Sequence, residues 1–183
     1  MPRMPKYSAG LLTYRITAGG VLEVLLVHPG GPFWAKKDDG AWSIPKGEYE
    51  PDSEPDPLAV AEREFAEELG KNPPGGRRVE LGELKQPSGK RVIAWAVSGD
   101  LEVSEITSNS FELEWPPNSG TTHSFPEVDR AAWFPVLEAR SKLLKGQVPF
   151  VDRLVEHLRV VEGLTYKDCG IEASEGTTTS PDR

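Results

Sequence analysis

Cysteine is nearly absent from this chain of 183 residues: Cys169 stands alone, so no internal disulfide can form and a reducing compartment suits the protein. Histidine is scarce too. His28, His123 and His157 show no ligand spacing, and none is assigned to a metal. No apolar run approaches the length needed to span a bilayer, and nothing after the opening Met-Pro-Arg-Met-Pro-Lys resembles a secretory leader. A cytoplasmic location without membrane contact is expected. Positive charge is in deficit: 21 Lys and Arg against 29 Asp and Glu give a net charge of −8, which argues against a nucleic-acid-binding surface. Internal repeats are lacking. What is present, with 37% hydrophobic residues, is the composition of one domain with a real core.

The acidic excess is concentrated most tellingly in Arg63-Glu64-Phe65-Ala66-Glu67-Glu68-Leu69-Gly70. On a helix, Glu64 lies one turn before Glu67 and Glu68, so the three carboxylates share a side. Like charges at those spacings cost roughly 0.2–0.5 kcal/mol per pair. A hard divalent cation, Mg²⁺ or Mn²⁺, prefers oxygen ligands and would cancel that repulsion. Such an ion normally works beside phosphate. Leu58, Ala61, Phe65 and Leu69 form the core-facing stripe, and the glutamates occupy the adjoining sector and face outward. Asp56 followed by Pro57 gives an N-cap and first helical residue, and Gly70 a stop. An ordinary solvated acidic face would read the same way, and the helix alone does not decide between the two.

The residues upstream do. From Gly47 to Gly70 the chain resembles the Nudix box, Gly-x5-Glu-x7-Arg-Glu-aliphatic-x-Glu-Glu-x-Gly-aliphatic, through Gly47, Glu54, Arg63, Glu64, Phe65, Glu67, Glu68 and Gly70. It departs from the pattern in the loop, with gaps of six and eight residues around Glu54, and in Lys71 and Phe65. The longer loop leaves Glu48, Glu50 and Asp52 as alternatives to Glu54. The resemblance implies a hydrolase acting on phosphoanhydride bonds, dependent on Mg²⁺ with Mn²⁺ as a substitute. It implies that Gly47 turns the backbone and offers its carbonyl to the metal, and that Glu54 and Arg63 pair to fix the loop. Glu64, Glu67 and Glu68 would hold the metal, which neutralises charge on phosphorus and lowers the pKa of a bound water. Family members often draw a further carboxylate from late in the sheet. Glu114 is the candidate for that catalytic role, with Glu112, Glu127 and the box glutamates open as alternatives for the base.

The resemblance also implies an α/β fold, an α/β/α sandwich with a mixed β-sheet, over about residues 8–160. Strands are expected over 8–16, 21–28, 42–44, 79–84, 91–97, 110–115 and 131–134, and helices over 136–144 and 148–161. The domain is set at 1–165. The remainder, 166–183, is Ser/Thr/Glu/Gly-rich from Ile171 and reads as a disordered tail. Trp34, in a Gly/Pro-rich loop, is the candidate to stack on a base. Lys46, beside Gly47, is the candidate to bind phosphate, whereas Lys36, Lys37, Lys85 and Lys90 read as solvated surface charges. Trp42-x-x-Pro45-Lys46-Gly47 resembles the entry to the box in members acting on dinucleoside or diphosphoinositol polyphosphates. That implies a dinucleoside polyphosphate or (d)NTP as the small-molecule substrate. A housecleaning pyrophosphatase of the MutT type for oxidised nucleotides is the alternative, adenosine diphosphate ribose comes third, and a non-catalytic nucleotide-binding module is the reading of another class. Oligomeric state is not fixed by these signals.

Overall fold

Strand β1 (Tyr7–Ile16) is an almost unbroken buried run, as a central strand covered on both faces requires. Its odd positions Ala9 and Leu11 join one core cluster, and its even positions Leu12 and Tyr14 join another. The structure is a computed structural model and describes residues 4–165, 167, 169 and 170. The rest of the expected tail lies outside the described residues. Cys169, placed in that tail by the sequence reading, is buried against the core.

Around β1 the sheet runs β4 (Val79–Lys85), β5 (Arg91–Ser98), β1, β2 (Leu22–Pro29), β8 (Val128–Pro135). β1 pairs with β5 in parallel, and the other pairs are antiparallel, so the sheet is mixed. The short strand β3 (Lys46–Tyr49) shares the β2 edge of β1. It pairs Ala9 with Gly47 and Gly10 with Lys46, while β2 takes the other end of the same edge. Helix α1 (Pro57–Leu69) covers one face, burying Val60, Ala61, Phe65 and Leu69 against Ala9, Leu11, Leu25 and Val27. Helices α2 (Val136–Lys142) and α3 (Val148–Glu162), joined by a 3-10 turn at Lys145–Gln147, cover the other. This is the three-layer arrangement expected.

The differences are local. Trp42 and Ser43, expected on a strand, make only isolated bridges to Leu143 and Val27, and the strand proper starts at Lys46. A strand not expected, β7 (Thr122–Pro126), pairs with β6 (Ser110–Glu114) in a separate two-stranded sheet. Its residues are mostly exposed, so no alternation of burial marked it. Among the described residues, no helix is long and apolar enough to cross a membrane.

Thr13 is fully buried in β1, and among the described residues its hydroxyl has no hydrogen-bond partner. Thr13→Val removes an unsatisfied polar group with little change of shape, so the variant should gain about 1 kcal/mol. Thermal unfolding should move up by about 2–4 °C. A lower midpoint would show that the hydroxyl is satisfied in solution.

Candidate active site

Helix α1 is bounded as its sequence dictates. Asp56 accepts hydrogen bonds from the Leu58 and Ala59 amides at 3.1 and 3.3 Å, and Gly70 closes the helix at φ 66°. Its faces are divided differently from the expectation. Val60, not Leu58, is buried. At about 100° per residue, Val60 and Ala61 flank the sector that carries Glu64 and Glu68. These two glutamates therefore lie within the buried arc of the helix. The outward-facing position expected for Glu68 is corrected: only Glu67 stands at the rim, with 40% of its side chain exposed against 14% for Glu64.

Each carboxylate has a defined neighbour. Glu64 lies over Gly47 of β3, where a Cβ would overlap its carboxylate, so no other residue permits this approach. Glu68 accepts a hydrogen bond from the Lys46 amide at 3.3 Å. Burial pushes the Glu64 carboxyl up, and repulsion from Glu67 and Glu127 adds to this against the pull of Arg63. Burial raises Glu68 further, to about 8, opposed by Lys46 and assisted by Glu64 and Glu127. The Lys46 ammonium is pushed down, first by burial and then by repulsion from Lys90.

Arg63 reaches three carboxylates. It pairs with Glu54 and lies 3.2 Å from Glu64 Oε1 and 3.7 Å from Glu67 Oε1. The lengthened loop is taken up in a turn where the Ser53 and Glu54 amides donate to the Glu50 carbonyl at 3.1 and 2.8 Å. Glu48 is engaged with Lys6 and Lys90, and Glu50 and Asp52 are exposed. Of the four acidic candidates in the loop, Glu54 is the one that meets Arg63.

The candidates for the late carboxylate lie in different places. Glu114 accepts the Gly120 amide at 2.8 Å and so closes the exposed β6–β7 hairpin to which it belongs. Glu112 is exposed opposite Ser124. Glu127, just beyond β7, instead lines a cleft of about 180 Å³ together with Trp34, Lys46 and Glu68. Its backbone is pinned on both sides. The Glu127 amide donates to the Asn109 carbonyl at 2.7 Å, the Gly30 amide donates to the Glu127 carbonyl at 2.9 Å, and the Asn109 amide donates to the Glu67 carbonyl at 3.1 Å. A ladder of peptide bonds thus runs from the last turn of α1 through Asn109 and Glu127 to the loop that carries Trp34.

Trp34 is half-buried, with Lys37 Nζ 4.8 Å from its ring centre. Its loop is anchored by buried His28, whose Nδ1 lies 2.9 Å from Asp129 Oδ1 and whose Nε2 lies 2.7 Å from the Lys37 carbonyl. Buried Gln147 accepts the Ile44 amide at 2.9 Å and fixes the entry to β3. Sequence reasoning missed both residues. A buried polar side chain that ties two distant segments has no spacing to reveal it.

Among the described residues, no three His, Cys, Asp or Glu side chains are arranged to hold a metal ion, since Glu64 and Glu67 are drawn toward Arg63 and Glu68 toward the Lys46 amide. The donor chemistry nevertheless fits a hard divalent cation. Half-buried carboxylates repel one another beside Gly47, and an ion with oxygen ligands would relieve that repulsion.

The NUDIX domain family model matches residues 5–157. Among solved structures, the chain is similar to the NUDIX domain of Shewanella oneidensis NrtR complexed with ADP ribose, at 15% identity and a TM-score of 0.59, covering 85% of this chain and 90% of that one. It is similar to the C. elegans Ap4A hydrolase in a binary complex, at 19% identity and a TM-score of 0.58, covering 84% and 98%. A mutT/nudix family protein from Listeria innocua matches at 15% identity and a TM-score of 0.58, covering 89% and 100%. At these identities the likeness is one of fold. No curated protein matches the chain.

The raised Glu68 carboxyl makes a testable statement about stability. Its folded-state pKa of about 8 exceeds the ordinary value of 4.5, so the stabilisation from its proton is complete below about pH 4.5 and lost as pH rises through about 8. In EDTA, the melting temperature of the wild type should therefore fall more steeply between about pH 5 and pH 8 than that of Glu68→Gln. Parallel slopes would mean that Glu68 is not held in a desolvated position.

Proposed function

The chain belongs to the Nudix family of pyrophosphohydrolases, and from that premise we propose that it cleaves a pyrophosphate linkage in a nucleoside polyphosphate, foremost a dinucleoside polyphosphate. One observation carries this reading: Glu68 and Glu127 line one cleft with a cation, Lys46, and an aromatic ring, Trp34, next to the Glu64 carboxylate over Gly47. A phosphoanhydride attached to a base needs those three kinds of group together.

Nudix enzymes generally use a divalent cation such as Mg²⁺. Here Glu64, Glu67 and Glu68, with the Gly47 carbonyl, would hold it, after Glu64 and Glu67 swing away from Arg63. When bound, the cation supplies charge neutralisation on the diphosphate oxygens. Arg63 acts as a positioning residue, since its pairing with Glu54 ties the loop to the helix and its reach to Glu64 and Glu67 sets their orientation. Lys46 offers positive charge to a phosphate at the mouth of the cleft. Trp34, which lines the same cleft, is the residue to stack on the base. Glu127, fixed by its backbone ladder, stands ready to take a proton from the attacking water.

Turnover is tested by a panel of dinucleoside polyphosphates, ordinary and oxidised dNTPs and ADP-ribose with Mg²⁺, with products separated by mass. Dinucleoside polyphosphates should give the highest kcat/KM. Preference for oxidised dNTPs would transfer the protein to the housecleaning class, and binding without products would make it a nucleotide-binding module.

Three substitutions separate the carboxylates. Glu67→Gln and Glu127→Gln should each lower kcat by roughly 10²–10⁴-fold while the melting temperature is kept, whereas Glu114→Gln should stay near the wild-type rate. Full activity in Glu127→Gln alongside loss in Glu114→Gln would return the late carboxylate to the hairpin.

A further inference from the structure

The carboxylate cleft does not end at Lys46. Lys46 and Leu144 also line a second hollow of about 390 Å³, bounded by Gln86, Ser88, Lys90 and Gln147. Ser88 and Lys90 in turn line a third, of about 540 Å³, together with Lys6, Lys85 and Arg91. The three hollows adjoin through these shared residues, in a row from the carboxylates to the tip of the β4–β5 hairpin, and are treated together as a trough. Cations predominate along it. Glu48 contacts Lys6 at 3.3 Å and Lys90 at 3.1 Å, and Glu83 contacts Arg91 at 2.6 Å. Lys46 and Lys90 are close enough to repel, and Lys85 has no salt bridge among the described residues.

In a chain of net charge −8, this concentration of positive charge is not a default of composition. The trough is also a built feature. At the hairpin tip, the Gln86 amide donates to the Lys90 carbonyl at 2.7 Å and the Gly89 amide to the Gln86 carbonyl at 2.8 Å. The Gln86 side chain donates to the Gly146 carbonyl at 3.0 Å, lying where a Cβ on Gly146 would overlap it. The turn that presents Lys90 is thereby tied to the 3-10 turn before α3. Among the described residues, no aromatic side chain lines the second or third hollow to stack on a base. The chemistry offered is recognition of phosphates alone.

We propose that the trough lined by Lys46, Lys90, Lys85, Lys6 and Arg91 is a polyphosphate track, which holds the phosphates beyond the scissile bond and selects substrates with long phosphate chains. The inference rests on the hydrolase reading for its catalytic consequence, but the track itself is a binding site that can be measured without turnover. The phosphate chain could belong to a dinucleoside polyphosphate or to a mononucleotide with a free polyphosphate end, and both enter the test.

Binding of inorganic tripolyphosphate, measured by calorimetry in EDTA, addresses the track directly. Wild type should bind, Lys85→Gln/Lys90→Gln should bind about tenfold or more weakly, and Glu48→Gln, which removes a competing carboxylate, should bind more tightly. Equal affinity in wild type and the double variant, or no binding by either, overturns the proposal. In Mg²⁺, wild-type kcat/KM should rise from ADP-ribose through diadenosine tri- and tetraphosphate, with adenosine tetraphosphate compared to separate free from capped chains. The double variant should lose the rise and keep the ADP-ribose rate, and melting temperatures confirm that it folds. A rise that survives in the double variant overturns the track. Lysine-dependent tripolyphosphate binding with no turnover of any nucleotide supports the track and removes the hydrolase reading instead.

Discussion

Helix α1 and strand β3 meet where Glu64 lies over Gly47, and this contact constrains what surrounds it. A carboxylate is pressed onto a backbone with no Cβ between them, inside the arc by which the helix packs on the sheet. Desolvating one carboxylate in this way is costly, and Glu68 doubles the cost one turn on. The fold contains the expense locally. Arg63 holds Glu64 and Glu67 from the solvent side, the Lys46 amide donates to Glu68, and the proton Glu68 retains to about pH 8 removes a charge. Packing strength on the apolar positions Ala61, Phe65 and Leu69 keeps the helix in place against this opposition.

Charge changes sign close to this contact. Carboxylates gather on the α1 side of Lys46 and cations on the hairpin side, so Lys46 stands at a boundary between the two fields. On the proposed reading, a ligand that carries both metal-seeking and lysine-seeking oxygens would meet one field on each side. Few small molecules other than phosphate chains meet that description.

How far the sequence disclosed this depended on the kind of signal. The helix of the box was legible to its caps, because Asp56, Pro57 and Gly70 act through local backbone chemistry. The central strands were legible as apolar runs. Glu68 was misjudged because a stripe drawn through Leu58 ignored Val60, and burial on α1 spans a wider arc than one row of residues. Glu114 was favoured over Glu127 by a period-two pattern, yet that pattern described a hairpin standing outside the main sheet, and its exposed partner strand had no pattern at all. The cations of the trough were passed over as surface charge. They come from the chain's first residues, the β3 start and the β4–β5 turn, and only the pairing of β1 with both β3 and β5 brings those segments together.

The direct hydrogen bond between Asn109 and Glu127 has a consequence for how such a molecule can change. The residues between them leave and re-enter at a closed joint, and the hairpin they form rests on the neighbouring loop through Phe111 at Gly31 and Trp115 against Phe33. The tip beyond those contacts can drift, be trimmed or be swapped without loosening the seam that holds Glu127. New ligand preferences could therefore be acquired there while the chemical step stays untouched.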